Sequence, residues 1–181
     1  MSIRFGLLAL LNAGPRYGAQ LRAEFEARTG GTWPLNIGQV YTTLARLERD
    51  GLISPVHEAE ARQQPYALTD AGRRELAGWF ERPVDRDQPA RDELAIKLAM
   101  AVGTPGLDVS ALIGTQREHT RRAVREYTRL RARALANEPD SPDDVAWLLA
   151  LDRLILAAEA EDRWLDGCES RLARLASHRP G

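Results

Sequence analysis

Residues Ile37 to Gly51 read IGQVYTTLARLERDG and form the most clearly periodic segment of the sequence. Its apolar side chains recur at the spacing of one stripe along an α-helix, at Ile37, Val40, Leu44 and Leu47. Asn36 occupies an N-cap position, and Gly51 occupies the position after the C-cap, where a left-handed glycine ends many helices. The pattern predicts an amphipathic helix over residues 37–50 that packs these four apolar side chains inward.

The opposite face of this helix is the candidate functional surface. At 100° per residue, the outward positions are Gly38, Gln39, Thr42, Ala45, Arg46 and Arg49, with Tyr41 and Thr43 on the flanks. Small residues near the helix start permit close approach to a DNA groove, and Gln and Arg can pair with adenine and guanine edges. Backbone N–H groups near Gly38 can meet a phosphate. The alternative is a solvated face of an ordinary surface helix.

The neighbouring segments complete a recognisable order of elements. We predict helices over residues 2–13 and 17–28, strands over 52–57 and 65–68, and a helix over 70–81. Three helices, a two-stranded hairpin and a further helix within about 80 residues are typical of a winged helix-turn-helix, whose third helix enters the DNA major groove.

A segment rich in proline and charge, residues 82–89, separates two halves of the chain. We predict a DNA-binding domain over residues 1–82 and a helical domain for dimerisation and effector binding over residues 83–181. The helices expected in the second domain span 92–101, 108–135 and 142–176. The expected fold is therefore mostly α with a small β-hairpin.

The charge balance gives no global argument for nucleic acid. The 181 residues carry 25 basic and 26 acidic side chains, a net charge of −1. DNA affinity must then depend on a few placed arginines, chiefly Arg46, Arg49 and Arg62. No apolar run approaches the roughly 20 residues of a membrane span, which argues against a membrane partner. The lone Cys168 excludes a disulfide framework and favours the cytoplasm.

The length of the last helix predicts a homodimer. Residues 143–176 as one helix would extend about 51 Å, whereas a compact chain of this size is roughly 40 Å across. The excess length needs a second surface to pack on, and a twofold dimer also matches a palindromic operator. The candidate dimerisation residues are Leu148, Leu149, Ile155, Leu156, Leu165 and Leu172.

The helix before it carries a surplus of arginine. Seven arginines between Arg117 and Arg133 face two glutamates, Glu118 and Glu126. One interpretation is a nucleic-acid stripe. We favour ion pairing with acids of the last helix, which include Glu159, Glu161, Asp162 and Asp166.

No motif in the sequence predicts an enzyme, a cofactor or a metal site. His57, His119 and His178 lie in different predicted elements, and no nucleophile or phosphate-loop motif is present. Cys168, one turn from Trp164, is expected to be a small buried hydrophobic residue. Trp79, Trp147 and Trp164 are candidates to line an effector pocket near the dimer axis, with ordinary core packing as the alternative.

Five segments resemble PadR-family transcriptional regulators with a long C-terminal domain. They are LLALLNAGPRYGAQL (7–21), TGGTWPLNIGQVYTTLARLERDGLI (29–53), YALTDAGRREL (66–76), RDELAIKLAMA (91–101) and EAEDRWLDGCESRL (159–172). The resemblance implies a homodimeric transcription factor, usually a repressor, often released from its operator by a small and frequently aromatic effector. It implies DNA-facing roles for Tyr41, Thr42, Thr43 and Arg46. Tyr17 and Gly18 match the turn that opens the family's second helix.

The predicted hairpin tip departs from the family pattern. Many members have a basic tip, whereas residues 58–64 carry two acids and one arginine here, so that only Arg62 can meet a phosphate. The predicted DNA contacts are Tyr17, Asn36, Gly38, Gln39, Tyr41, Thr42, Thr43, Arg46, Arg49 and Arg62. We predict a sequence-specific, homodimeric DNA-binding repressor. The alternative is a winged-helix protein-interaction module without sequence-specific DNA binding.

Overall fold

The computed structural model describes residues 3–56, 64–84, 92–137 and 139–177. In chain order, the elements are α1 Ile3–Leu11, α2 Gly18–Arg28, α3 Ile37–Arg49, β1 Ile53–Pro55, β2 Tyr66–Leu68, α4 Asp70–Glu81, α5 Glu93–Val102, α6 Val109–Ala136 and α7 Pro142–Ser177. The chain divides into two compact units, Met1–Asp85 and Arg86–Gly181. The division falls three residues beyond the predicted boundary. The predicted fold class, mostly α with a small hairpin, is confirmed.

Local signals set the ends of α3 as expected. Gly51 has a φ of +70°. Its N–H donates to the carbonyl of Glu48 at 2.9 Å, and the N–H of Leu52 donates to the carbonyl of Leu47 at 2.9 Å. These two bonds form a Schellman motif, which satisfies the last carbonyls of the helix and turns the chain into β1.

The first unit has one apolar core, built mainly from leucine. Val40, Leu44 and Leu47 of α3 are fully buried in it, together with side chains of α1, α2, α4 and β1. Ile37 is the exception to the predicted stripe. It is 37% exposed, because it is the first residue of α3 and lies outside the core, whereas Val40, one turn later, is fully buried.

The hairpin is short and antiparallel, with Ile53 opposite Leu68 and Pro55 opposite Tyr66. Arg16, in the turn between α1 and α2, exchanges two backbone hydrogen bonds with Tyr66, at 3.0 and 2.9 Å. The hairpin is thereby tied to the turn that opens α2. Thr69 caps α4 by accepting from the N–H of Gly72 at 3.1 Å.

The second unit is helical throughout the part that the structure describes. Helices α6 and α7 pack against each other along their length, and α5 covers one end, where Leu98, Ile113 and Leu165 form a small buried core. Ser141 and Asp144 bond reciprocally at the start of α7: the N–H of Asp144 donates to Oγ of Ser141 at 3.1 Å, and that hydroxyl donates to the carboxylate at 2.6 Å. This hydrogen bonding lowers the pKa of Asp144.

Candidate nucleic-acid interface

A capping box sets the first turn of α3. Oδ1 of Asn36 accepts from the N–H of Gly38 at 2.8 Å, and Oε1 of Gln39 accepts from the N–H of Asn36 at 3.4 Å. The N–H of Gly38 therefore already has an acceptor. Asn36 and Gly38 hold the first turn of α3 through this bond, and the phosphate contact by backbone N–H groups near Gly38 stays a prediction.

The loop that leads into α3 is anchored by Glu26 of α2. Its Oε1 accepts from Nε of Arg22 at 3.1 Å and from the N–H of Leu35 at 3.2 Å. The hydrogen bond from Arg22, followed by that from Leu35, lowers the pKa of Glu26. Leu35 itself is buried in the core, so the chain enters α3 from a fixed point.

The outward face of α3 is exposed at every position predicted for it: Gly38, Gln39, Thr42, Ala45, Arg46 and Arg49. Of the flanking residues, Tyr41 is exposed and Thr43 is half-buried. The hydroxyls of Thr42 and Thr43 donate to the carbonyls of Gly38 and Gln39, at 2.8 and 2.7 Å. Each hydroxyl oxygen is thus oriented by the helix and keeps a lone pair for an incoming donor.

The arginines on this face are poorly compensated. Arg46 has no hydrogen bond or ion pair within the described residues, and Arg49 meets only the carboxylate of Asp50, at 3.6 Å. A planar guanidinium with unused donors can pair bidentately with a guanine edge or a phosphate. The third arginine that the sequence indicated, Arg62, lies outside the described residues.

The start of α2 packs directly against α3. Gly18 is buried, and a Cβ placed on it would lie 2.8 Å from Cε1 of Tyr41. Tyr17 is half-buried, and its N–H donates to Oε1 of Gln20 at 2.9 Å, which caps α2. Tyr17 and Tyr41 are therefore brought to the junction of the two helices, as the helix-turn-helix pattern requires.

The first turn of α1 borders the same surface, which the sequence did not predict. Ile3 lines a cleft together with Gln39, Thr42 and Arg46. Arg4 reaches the end of α3, where its Nη1 lies 3.4 Å from Oδ2 of Asp50. A single cation in an otherwise apolar helix was the available signal for Arg4, but its proximity to α3 depends on tertiary packing.

Two family models match consecutive parts of the sequence. Residues 7–78 match the model of the transcriptional regulator PadR-like family, and residues 90–173 match the virulence activator alpha C-terminal model. The first unit of the chain belongs to the PadR-like family. The resemblance inferred from the five sequence segments is thereby confirmed.

Relatives of known structure share the whole architecture. The negative transcriptional regulator PadR of Bacillus subtilis is 25% identical over 180 residues, which cover 96% of this chain and 97% of the relative. Its complex with operator DNA superimposes with a TM-score of 0.71 at 23% identity, over 95% of this chain and 97% of that one. Its complex with p-coumaric acid gives 0.73 at 23% identity, over 97% and 99%.

A second relative, the virulence activator AphA of Vibrio cholerae, gives a TM-score of 0.71 at 26% identity, over 95% of this chain and 98% of that one. Both relatives are regulators by name, as the sequence led us to expect in place of an enzyme.

The arginines of α6 in this PadR-like chain are largely paired. Arg117 lies 2.8 Å from both Asp166 and Glu169, and Arg121 lies 3.1 Å from Asp162. The expected pairing with Asp162 and Asp166 is confirmed. Glu161 instead accepts from Gln116 and Thr120 of α6, and Glu159 pairs with Arg163 within α7.

The three candidate pocket tryptophans have different surroundings. Trp79 is stacked on Phe5, with ring centroids 5.2 Å apart, and packs on the core of the first unit. Trp147 and Trp164 both lie on α7, but 17 residues of helix separate them by about 25 Å. Trp164 borders an apolar groove of about 270 Å³ between α5, α6 and α7, together with Leu98, Cys168 and Arg171.

The candidate dimerisation residues fall into three groups. Leu149 and Leu156 are 66% and 60% exposed. Leu148, Ile155 and Leu172 are half-buried. Leu165 is fully buried against Leu98 and Ile113 of its own chain, so no surface of it is left for a partner, and we reassign it to the core of the second unit.

Neither a metal cluster nor a membrane span is found among the described residues. No group of three or more His, Cys, Asp or Glu side chains there could hold a metal ion. No helix in that part of the chain combines the length and apolar character needed to cross a bilayer. His119 is exposed on α6, whereas His57 and His178 lie outside the described residues. Cys168 is half-buried against the core of the second unit.

Proposed function

We propose that this chain is a sequence-specific transcriptional repressor that binds palindromic operator DNA as a homodimer. Helix α3 of each protomer enters a major groove. The observation that carries the proposal is the exposed face of α3, where the polar side chains of Gln39, Thr42 and Arg46 face solvent beside the small Gly38. Arg suits guanine, and Gln suits adenine. Because its ligand is genomic DNA, we place the protein in the cytoplasm.

The proposed contacts divide by role. Base edges are read by Gln39, Thr42 and Arg46, and the backbone is met by Tyr17, Tyr41, Thr43, Arg49 and Arg62. Asn36 and Gly38 hold the first turn of the helix that presents them. We assign DNA binding to residues 1–82. Dimerisation and effector binding are assigned to residues 83–181.

The Bacillus subtilis relative supports this assignment. That protein is named a negative regulator, and it has been solved with operator DNA and with p-coumaric acid. The present chain matches nearly the full length of that relative, in both the winged-helix part and the helical part.

A gel-shift titration tests DNA binding. The probes are the DNA upstream of the chain's own gene and a random duplex of equal length. We expect preference for the upstream DNA by a factor on the order of 10³ or more, and loss of that preference in Arg46→Ala. Arg74→Ala, at an exposed position of α4, removes the same charge and should leave the preference for the upstream DNA intact.

Equal binding of both duplexes, unchanged by Arg46→Ala, would contradict sequence reading by α3. Absence of any salt-dependent binding would instead favour a winged-helix module for protein contacts.

The dimer proposal follows from apolar surface on the second unit. Ile96, Met100, Leu149 and Leu156 are all more than half exposed on α5 and α7, and such surface is normally covered by a partner. Solution mass at micromolar protein should correspond to two chains. Leu149→Glu and Leu156→Glu should lower the solution mass toward that of one chain. Ala77→Glu, at an exposed position of α4, should leave the mass unchanged. A monomeric wild type would contradict the dimer.

The proposed effector site is the groove beside Trp164. Its walls are apolar, and Arg171 supplies a cation at its edge for the carboxylate of an aromatic acid. Calorimetric titration with p-coumaric acid should show binding that Trp164→Ala and Arg171→Ala weaken, while Trp147→Ala serves as the matched control. The acid should also release the protein from operator DNA. Binding that Trp164→Ala leaves unchanged would argue against this groove.

A further inference from the structure

A cleft of about 430 Å³ lies between the first turn of α1 and the C-terminal half of α3. Three guanidinium groups line it, from Arg4, Arg46 and Arg49, together with the carboxylate of Asp50. Two of these arginines come from the helix that we propose reads DNA, whereas Arg4 comes from a different element. The cleft is therefore assembled by tertiary packing and is not apparent from α3 alone.

The cations in this cleft exceed the anions. Asp50 is shared, since its Oδ2 lies 3.4 Å from Nη1 of Arg4 and its Oδ1 lies 3.6 Å from Nη2 of Arg49. Arg46 has no partner within the described residues. The Nε of Arg4 is buried and likewise lacks a hydrogen-bond partner in the part of the chain that the structure describes. One carboxylate thus faces three cations, and donors remain for a further anion.

The cleft is continuous with the proposed base-reading surface. A neighbouring cleft of about 470 Å³ runs along the N-terminal half of α3 beside Gln39 and Thr42. The two clefts share Ile3, Thr43 and Arg46 as lining residues. A duplex whose groove receives Gln39 and Thr42 consequently brings one of its phosphate strands to the edge where Arg4 lies.

We propose that this cleft binds a phosphate of the DNA backbone and that Arg4 is one of its ligands. The proposal rests on the proposed function and extends the DNA contact beyond α3 to the first turn of α1. The forked guanidinium matches two phosphate oxygens, and Arg4 and Arg49 are the two guanidinium groups of the cleft that the proposed base reading leaves for an oxyanion. Asp50 occupies the site as an internal anion that a phosphate displaces or joins.

A purely structural role for Arg4 makes a different prediction. Arg46 and Arg49 lie in the last turn of α3, where cations offset the helix dipole, and Arg4 could simply tie α1 to Asp50. In that case, loss of Arg4 would lower thermal stability and leave the salt dependence of DNA binding unchanged. Salt dependence counts the phosphates neutralised, so it separates the two roles.

The experiment is a salt series of fluorescence anisotropy titrations on a random-sequence duplex of about 30 base pairs, roughly three helical turns. Full-length wild type, Arg4→Ala, Arg4→Lys and Arg74→Ala are compared. For Arg4→Ala, the slope of log K against log salt should flatten by about 0.9 per protomer, or about 1.8 for a dimer. Arg4→Lys should keep the wild-type slope, and so should Arg74→Ala.

Asp50→Asn provides a change of opposite sign. Removing the internal anion frees Arg4 and Arg49, so DNA should bind more tightly at every salt concentration, by roughly the fold-change expected for one added phosphate contact. This variant keeps the proposal testable if Arg4→Ala does not fold by circular dichroism. An unchanged affinity of folded Asp50→Asn overturns the proposal.

A wild-type slope in folded Arg4→Ala also overturns it. In both cases wild-type binding remains salt-dependent, so the proposed function survives. A wild type that binds no DNA at any salt concentration overturns the proposed function and the phosphate site together.

Discussion

Helices α3 and α6 both carry arginine on exposed surface, but in different electrostatic states. Of the seven arginines between residues 117 and 133 of α6, five lie within ion-pair distance of an acid, three of them across the contact with α7. On α3, Arg46 has no partner within the described residues, and Arg49 has only Asp50. The segment with the larger local surplus of arginine is therefore the better neutralised one.

The difference shows that the number of arginines does not identify a nucleic-acid surface. An arginine committed to a neighbouring acid must break that interaction before it can bind a phosphate, whereas an uncommitted one needs only to be desolvated. Helix α6 uses its arginines to hold α7, and α3 leaves Arg46 available. Replacing arginines on α3 should therefore weaken DNA binding, whereas replacing those on α6 should lower stability.

Arg46→Ala is expected to have the largest effect on DNA binding. Removing one base-specific hydrogen-bonding side chain from each protomer costs about 1–3 kcal/mol, and therefore about 2–6 kcal/mol for a dimer on its operator. Thermal stability should be nearly unchanged, because Arg46 has no partner within the described residues to leave unpaired. Operator affinity and the melting temperature are measured on the same sample. A large fall in melting temperature would mean that Arg46 stabilises the fold, as the paired arginines of α6 do.

Gly18→Ala should have the next largest effect, through packing rather than charge. A Cβ at Gly18 would lie 2.8 Å from the ring of Tyr41, so the ring must move, and overpacking of this kind costs about 1–3 kcal/mol. Both the melting temperature and operator affinity should fall.

The matched control for Gly18→Ala is Gly114→Ala in α6, where a Cβ meets no atom within 4 Å. That change should stabilise the chain by about 0.5–1 kcal/mol, because alanine is the better helix former. Stabilisation by Gly18→Ala as well would show that the start of α2 is not packed tightly on α3.

Much of this contrast was accessible from the sequence because its signals are local. Asn36 and Gly51 mark the ends of α3, and a stripe of apolar side chains identifies the face that points away from solvent. The acids of α7 that pair with Arg117 and Arg121 could be anticipated, because two long consecutive helices are expected to pack as antiparallel neighbours.

The features that the sequence did not reveal depend on tertiary packing. Leu165 points toward α5 rather than a partner, because two apolar faces of one long helix cannot be told apart by periodicity. Arg4 reaches Asp50 across 46 positions of sequence through the packing of α1 on α3.

Arg117→Ala is the counterpart to Arg46→Ala on the paired helix. Arg117 is only 17% exposed, but Asp166 and Glu169 are each about half exposed and can be rehydrated when it is removed. We expect a decrease of about 1 kcal/mol in unfolding free energy. Operator affinity should be unchanged at concentrations where the chain is dimeric. A fall in affinity comparable to that of Arg46→Ala would revive α6 as a DNA-binding surface.

The smallest expected effects are pH-dependent and occur once in each unit. Glu26 and Asp144 both have a pKa lowered by hydrogen bonds, from ordinary values of 4.5 and 3.8. A carboxyl group whose pKa is lowered on folding contributes stability above its unfolded pKa, and that contribution disappears as pH falls through the folded value.

Glu26→Gln should therefore lower the melting temperature slightly at pH 7, and the difference from wild type should shrink as pH falls below about 4.5. Asp144→Asn should behave likewise, but only below about pH 3.8. A deficit for Glu26→Gln that does not shrink at all as pH falls from 4.5 to 3 would mean that its charge does not anchor the loop before α3. In that case the position of the DNA-reading helix depends on the burial of Leu35 instead.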